Sequence, residues 1–366
     1  MSSPIPTAVP PVDLILHIGS GKTGTTSIQT FMHVNRGRLA ERGILYPRTP
    51  GLTRHARISL SVLSDQAVER TPVWHRQGFQ GSVGDVQQQV HDELCAEIAE
   101  AGLPRVVLSD EALYGTRWAA VSRLRELTDR LARSVRIVVY LRRQDDHVAS
   151  RYQQVVKVGE TRRLVERVAA LDLSGFYDYH RRLSQWQSTM EPTAFVVRRF
   201  ERASFSSGSL HEDFLEAAGI DVPVDAFQDA VARNESLDAE AVELLRLLNL
   251  FRVEQQGASP GQIDNRGLIR RLKESAGDVQ GPTLTLPPAA LDRFMGQWEE
   301  SNRAVARDFL GDSSGELFRA PRKTSNTTSD QILDPARLDH FLEVLELPEE
   351  QHAPLRALAE REASTA

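Results

Sequence analysis

The segment His17-Ile18-Gly19-Ser20-Gly21-Lys22-Thr23-Gly24-Thr25-Thr26-Ser27 gathers three kinds of anion-binding group. Its glycines let a tight turn expose backbone N–H groups, and the turn stands where a helix would begin. The unpaired N–H groups and the positive end of the helix dipole then face the same anion. Lys22 adds a point charge, and Thr23, Thr25, Thr26 and Ser27 add short hydroxyl donors. A phosphate or sulfate group needs this combination. The nucleotide-triphosphatase pattern GxxxxGK[ST] requires a further glycine five residues before Gly21, where Leu16 stands.

A second constellation is Tyr140-Leu141-Arg142-Arg143-Gln144-Asp145-Asp146-His147-Val148-Ala149-Ser150-Arg151-Tyr152. An arginine at a strand end can grip a phosphate with two parallel hydrogen bonds, and a serine in the helix beyond it can add a hydroxyl. Arg142 and Ser150 are eight residues apart; Arg143 takes the same role if the strand register moves by one, but the spacing to Ser150 favours Arg142.

These groups need elements to hold them. Residues 13–18 form a short apolar run bounded by glycine, which reads as a buried strand. Ile28, Phe31, Met32, Asn35 and Leu39 follow at near-helical spacing, with Gly43 as a stop and residues 44–46 as a second short strand. Further strands are expected at 106–108, 135–141 and 195–197, with helices at 86–99, 124–131, 144–158 and 210–218. Strands that alternate with helices imply a three-layer α/β/α fold around a central, mainly parallel sheet, carrying a P-loop-like phosphate loop. From residue 237 onward only helical patterns occur, at 237–253, 265–275 and 288–310, so the C-terminal part reads as helical. Residues 51–84 show no clean period and read as a long connection at the mouth of a site.

The Lys22-Thr23-Gly24-Thr25-Thr26 sequence resembles the 5′-phosphosulfate loop of sulfotransferases that use 3′-phosphoadenosine 5′-phosphosulfate (PAPS). The Arg142 to Ser150 element resembles the 3′-phosphate element of the same family, and Tyr152 stands where that family usually has an aromatic. Weaker likenesses follow in Val197-Arg198-Arg199-Phe200-Glu201, in Leu210, Phe214, Leu215, Gly219 and Ile220, in Asn234-Glu235-Ser236 and in Asn302. The resemblance spans residues 12–311. It implies transfer of a sulfuryl group from PAPS to a hydroxyl or amine, without a metal, with Gly21 to Ser27, Arg142 and Ser150 holding the donor. It also implies that Lys22 contacts the bridging oxygen and stabilises the leaving group.

The resemblance implies a histidine or glutamate base from one of two places. One is Ser109-Asp110-Glu111, giving Glu111; the other is Arg54-His55, giving His55. Glu111 needs a raised pKa to act near neutrality, which partial burial can supply, whereas His55 needs no tuning. His17, at a strand end under the loop, reads as structural. Two alternatives stand beside this reading: a P-loop kinase or NTPase using ATP and magnesium, and a non-catalytic nucleotide-binding scaffold.

Composition sets the outer bounds. The chain has 366 residues, 40% hydrophobic and 26% charged, with a net charge of −6, which argues against nucleic acid as a partner. A single cysteine, Cys95, excludes an intrachain disulfide framework and a cysteine-built zinc site and suits a cytoplasmic location. No apolar run is long enough for a membrane span. The expected organisation is a flexible lead-in at 1–11, a catalytic domain at 12–311, a linker at 312–336 and a short helical tail at 337–366. Glycan, lipid-linked and small-molecule acceptors all remain open. Arg54, Arg57, Arg70 and Arg76, in the 47–84 stretch that together with 160–190 should wall the acceptor pocket, point to an anionic or glycan acceptor.

Overall fold

A computed structural model of the protein describes residues 11–69, 74, 82–230, 236–276, 281–322 and 325–365. Residues 1–10 of the lead-in, Arg70, Arg76, Asn234 and Glu235 lie outside the described residues. The chain forms two compact units. The first takes in residues up to 142, 175–233 and 300–320; the second takes in 143–174, 234–299 and 321–366. The span expected as one domain, 12–311, is therefore shared between them. The stretch expected as linker, 312–336, divides at residue 320, and the expected tail, 337–366, lies wholly in the second unit.

In the first unit the order is β1 (Val12–His17), α1 (Thr25–Val34), α2 (Arg36–Ala40), β2 (Ile44–Leu45), α3 (Ala56–Val62), α4 (Asp65–Glu69), α5 (Val83–Ala101), β3 (Arg105–Ser109), α6 (Trp118–Leu131), β4 (Ala132–Leu141), α7 (Tyr179–Met190), β5 (Ala194–Arg199) and α8 (Leu210–Ala217). The five strands form one sheet in the order β2-β3-β1-β4-β5, and every pairing is parallel. The fold is α/β, as the alternation of strands and helices predicts.

Side chains alternate across the central strands. Ile15, Val107, Val138 and Tyr140 share one buried cluster with Ile28, Phe31 and Met32 of α1 and Phe214 and Leu215 of α8. On α6, Val121, Leu124 and Leu131 are buried, and this helix packs on β4 and against α7. Because both faces of the sheet are covered, β1 reads as a nearly continuous apolar run, which is why the sequence marks it clearly.

Residues 51–69 differ from the expected irregular connection, since α3 and α4 lie there. The seven residues of α3 bury Ile58, Ser59, Leu60 and Val62. So short a helix, buried around most of its girth, leaves no apolar stripe for a periodicity to reveal.

The second unit is built on the helix Ala239–Gln256, where Val242, Leu244, Leu245, Leu247 and Leu248 are all buried. The helices Gln144–Val156 and Glu349–Ser364 pack on it. Thr283–Leu284 and Thr327–Thr328 pair as a small parallel ribbon.

Leu16 is wholly buried at the centre of the sheet. Leu16→Ala should cost about 2–5 kcal/mol of stability in urea unfolding; a loss below ~1 kcal/mol would contradict a close-packed core at β1.

Candidate functional site

Parallel strands end on the same side of the sheet, and ligands of such sheets bind beyond those carboxyl ends where the strand order reverses. Here the chain leaves β1 toward β2 and β3 on one side, then crosses to β4 and β5 on the other. The ends of β1, β3 and β4 carry the loop 19–27, the Ser109-Asp110-Glu111 turn and Arg142. Three sequence candidates are gathered here by topology alone.

The loop is held in an uncommon backbone shape. Gly21, Lys22 and Gly24 have φ values of 66°, 54° and 72°, while Thr23 between them is not left-handed. Left-handed residues this close together are a feature of turns whose successive N–H groups can face a common anion. Gly24 is also the N-cap of α1, so the free N–H groups of Thr25, Thr26 and Ser27 add to the same end. A Cβ on Gly24 would strike Leu210 and Phe200, and one on Gly19 would strike Thr25. Both positions are therefore closed to larger residues.

Several contacts pin the turn. Ser20 Oγ donates to the Tyr140 carbonyl (3.0 Å), and Arg142 Nη1 donates to the Lys22 carbonyl (3.1 Å). Ser27 Oγ meets His211 Nε2 at 2.9 Å, and the His211 ring stacks on Phe31. Sequence reading missed Ser20 and His211. Ser20 stands within the motif, but His211 lies 184 residues from Ser27 and carries no local signal. The Thr23 hydroxyl is buried and has no hydrogen-bond partner among the described residues. It is a polar group of the turn that the described residues leave unused.

The two places proposed for a base lie side by side. His55 N–H donates to the Ser109 carbonyl, and Ser109 N–H donates to His55 Nδ1, both at 3.0 Å. Beyond that pair the two candidates differ. Glu111 is partly exposed; its Oε2 accepts from Thr25 Oγ1 in the phosphate loop, and its Oε1 lies 3.4 Å from Arg54. His55 is fully buried, its Nε2 facing the Pro47 carbonyl at 3.0 Å, and burial pushes its pKa down to about 3. Both of its ring nitrogens are therefore occupied, and it stays neutral.

Arg54 donates to Asp110 through Nε and Nη2, both at 2.8 Å. Burial works against its charge, but Asp110 and Glu111 more than offset this and raise its pKa. Arg57 pairs with Glu93 at 3.1 Å. These two of the four arginines named from the sequence are thus paired with carboxylates within the fold. His17 Nδ1 meets Ser109 Oγ at 2.8 Å, and Gln29 Nε2 donates to the same oxygen at 3.2 Å.

In the second unit, Ser150 lies half-buried on the helix Gln144–Val156. Arg143 is nearly buried there, with Nε donating to Asp145 at 2.8 Å and Asp146 3.7 Å away. Among the described residues no group of three His, Cys, Asp or Glu side chains is placed to hold a metal ion, and no helix is long and apolar enough to cross a membrane.

The fold and this site define an α/β protein with a glycine-rich turn of left-handed residues at the end of its central strand. No family model matches the sequence. An uncharacterized protein of Archaeoglobus fulgidus is 29% identical over 209 residues, 56% of this chain and 54% of that protein, so the chain spans about half the length of this relative. Among solved structures, the sulfotransferase domain from the curacin biosynthetic pathway is similar with a TM-score of 0.36 and 13% identity, over 78% of this chain and 97% of that domain.

Burial pushes His17 as well as His55 down to about 3 from an ordinary 6.5. Between those values the unfolded chain binds protons that the folded chain refuses, so stability rises with pH across the window and is lost as pH falls below about 6.5. His211, also lowered by burial, acts in the same direction. Urea unfolding from pH 7.5 to 5.5 should show a loss approaching roughly 2 kcal/mol per pH unit at the acid end. A flat profile would place both histidines in contact with water.

Proposed function

We propose that this chain is a sulfotransferase that moves a sulfuryl group from PAPS to a hydroxyl or amine, releasing 3′-phosphoadenosine 5′-phosphate. The observation that carries this reading is the concave turn from Gly21 to Gly24 at the head of α1, with its buried, unpartnered Thr23 hydroxyl and a carboxylate at its rim. The turn offers N–H groups, hydroxyls and one lysine to a doubly charged phosphosulfate. Lys22 would stabilise the negative charge that grows on the bridging oxygen as the sulfur–oxygen bond breaks. Arg142, at the end of β4, would take the 3′-phosphate.

Glu111 is the base in this reading. Its side chain is open to water and joined to the phosphate loop through Thr25, whereas both nitrogens of His55 are engaged inside the core. Glu111 would accept the acceptor's proton as the new bond to sulfur forms, and Arg54 would fix the carboxylate's orientation. The acceptor is a glycan, a lipid-linked molecule or a small molecule.

The kinase alternative finds less support. Leu16, where the triphosphatase loop needs glycine, lies inside β1 and is fully buried. The acid that ends β3, Asp110, is spent on Arg54 and on the Ser59 N–H.

The donor can be tested by calorimetry with 3′-phosphoadenosine 5′-phosphate in EDTA beside ATP with magnesium. The reading expects micromolar binding of the bisphosphate and little response to ATP; the reverse pattern would overturn it. Turnover is read as bisphosphate released from PAPS before a panel of glycan, lipid-linked and phenolic acceptors. Glu111→Gln should lower kcat by about 10²–10⁴ while the KM for PAPS changes little. His55→Gln should reduce kcat far less per folded molecule. A Glu111→Gln enzyme at the wild-type rate would remove Glu111 from the proton transfer.

A further inference from the structure

Thr25 is the first residue of α1, and its two side-chain branches meet different neighbours in a buried corner. Its methyl group fills the space where a Cβ on Gly19 would stand, and its hydroxyl donates to Glu111 Oε2. That Cβ position is also 3.5 Å from the Glu111 Cβ and from His17 Nε2, so the corner is crowded. A β-branched side chain packed in this way keeps one rotamer. The hydroxyl oxygen therefore stays in place, and only its proton can turn.

Thr25 also opens the first turn of α1, where backbone N–H groups have no acceptor within the helix. An anion seated on those N–H groups lies beside the hydroxyl of the same residue. A hydroxyl carries one proton for donation. It serves Glu111 or an anion in the turn, and not both.

Glu111 is placed to respond to that choice. Its Oε1 lies 3.4 Å from Arg54 Nη1, and Arg54 is anchored on the buried Asp110 by two contacts of 2.8 Å. This side of the carboxylate is fixed by the fold, so loss of the Thr25 hydrogen bond frees the other oxygen alone. The freed oxygen then faces the lone pairs of the Thr25 hydroxyl, which repel it toward water. The Glu111 side chain is 29% exposed, so it has water to turn toward.

We propose that Thr25 is a positioning residue that couples seating of the donor in the turn to release of Glu111. Before the donor binds, the hydroxyl proton is held by Glu111 Oε2. Once a phosphate or phosphosulfate oxygen sits on the N–H groups, the hydroxyl donates to it, and the carboxylate is released to receive the acceptor's proton. Thr25 keeps its proton throughout, and no covalent bond changes in this step. The inference deepens the function proposed above and rests on it, adding an order of events in which the base follows the donor.

The test is difference infrared spectroscopy on addition of 3′-phosphoadenosine 5′-phosphate, with affinity measured by calorimetry on the same samples. Subtraction of the Glu111→Gln spectra leaves the Glu111 carboxylate band. In wild type that band should shift on binding, and the shift should titrate with the calorimetric Kd. In Thr25→Val, which keeps the shape and removes the hydroxyl, the band should stand at the shifted position from the start and stay there. Thr25→Ser keeps the hydroxyl and should restore the ligand-dependent shift, a rescue that mere packing of the corner does not supply. Adenosine 3′-phosphate, which lacks the 5′ group, should leave the wild-type band in place. Bound bisphosphate with an unmoved wild-type band, or an equal ligand-dependent shift in folded Thr25→Val, would overturn the coupling and leave the donor reading standing. The wild-type spectrum answers the question even where Thr25→Val fails to fold. A wild-type protein that binds ATP with magnesium and not the bisphosphate would overturn the donor reading and this inference with it.

Discussion

Every strand of the central sheet runs in the same direction, and the arrangement of the first unit depends on that constraint. Parallel pairing puts all strand ends on one side and leaves each following loop there. β1 lies between β3 and β4, so whatever follows these three strands must converge. The glycine-rich loop, the Asp110–Glu111 turn and Arg142 meet for this reason, although 86 residues separate Thr25 from Glu111. The ladder even runs past the strand ends, with Ile18 N–H donating to the Val138 carbonyl and Asp110 N–H to the His17 carbonyl, both at 3.1 Å.

Burying so many polar groups near the strand ends has to be compensated. Ser109 shows how, since its backbone exchanges two hydrogen bonds with His55 and its hydroxyl serves His17 and Gln29. The layer beneath the loop is built of neutral histidine, serine and glutamine side chains, and the buried charge beside it, Asp110, is paired with Arg54.

The strand, glycine-rich turn and helix at 12–34 were legible in the sequence because they are contiguous: an apolar run, a cluster of glycines and a helical spacing follow one another. β1, β3 and the second half of β4 were legible because both of their faces are buried, and the edge strand β5 because its β-branched and aromatic run lies between turn signals. The choice between His55 and Glu111 was not legible, because it turns on burial and on partners such as Pro47 and Thr25 that tertiary folding supplies. The pairing of Arg54 and Arg57 with carboxylates was hidden for the same reason, and two loop arginines looked available when they are not. The division into two units was equally invisible, because the second is assembled from three separate stretches of chain. Periodicity sees neighbours in sequence, and none of these features is made by neighbours.

The fit of Gly24 against Leu210 and Phe200, with Ser27 on His211, has a consequence for biosynthesis. The residues that shape the turn are translated 184 positions after Ser27, tens of seconds behind at slow rates of about 5 residues per second. The turn therefore takes its final packing only after α8 has been made, when the far half of the first unit closes against it.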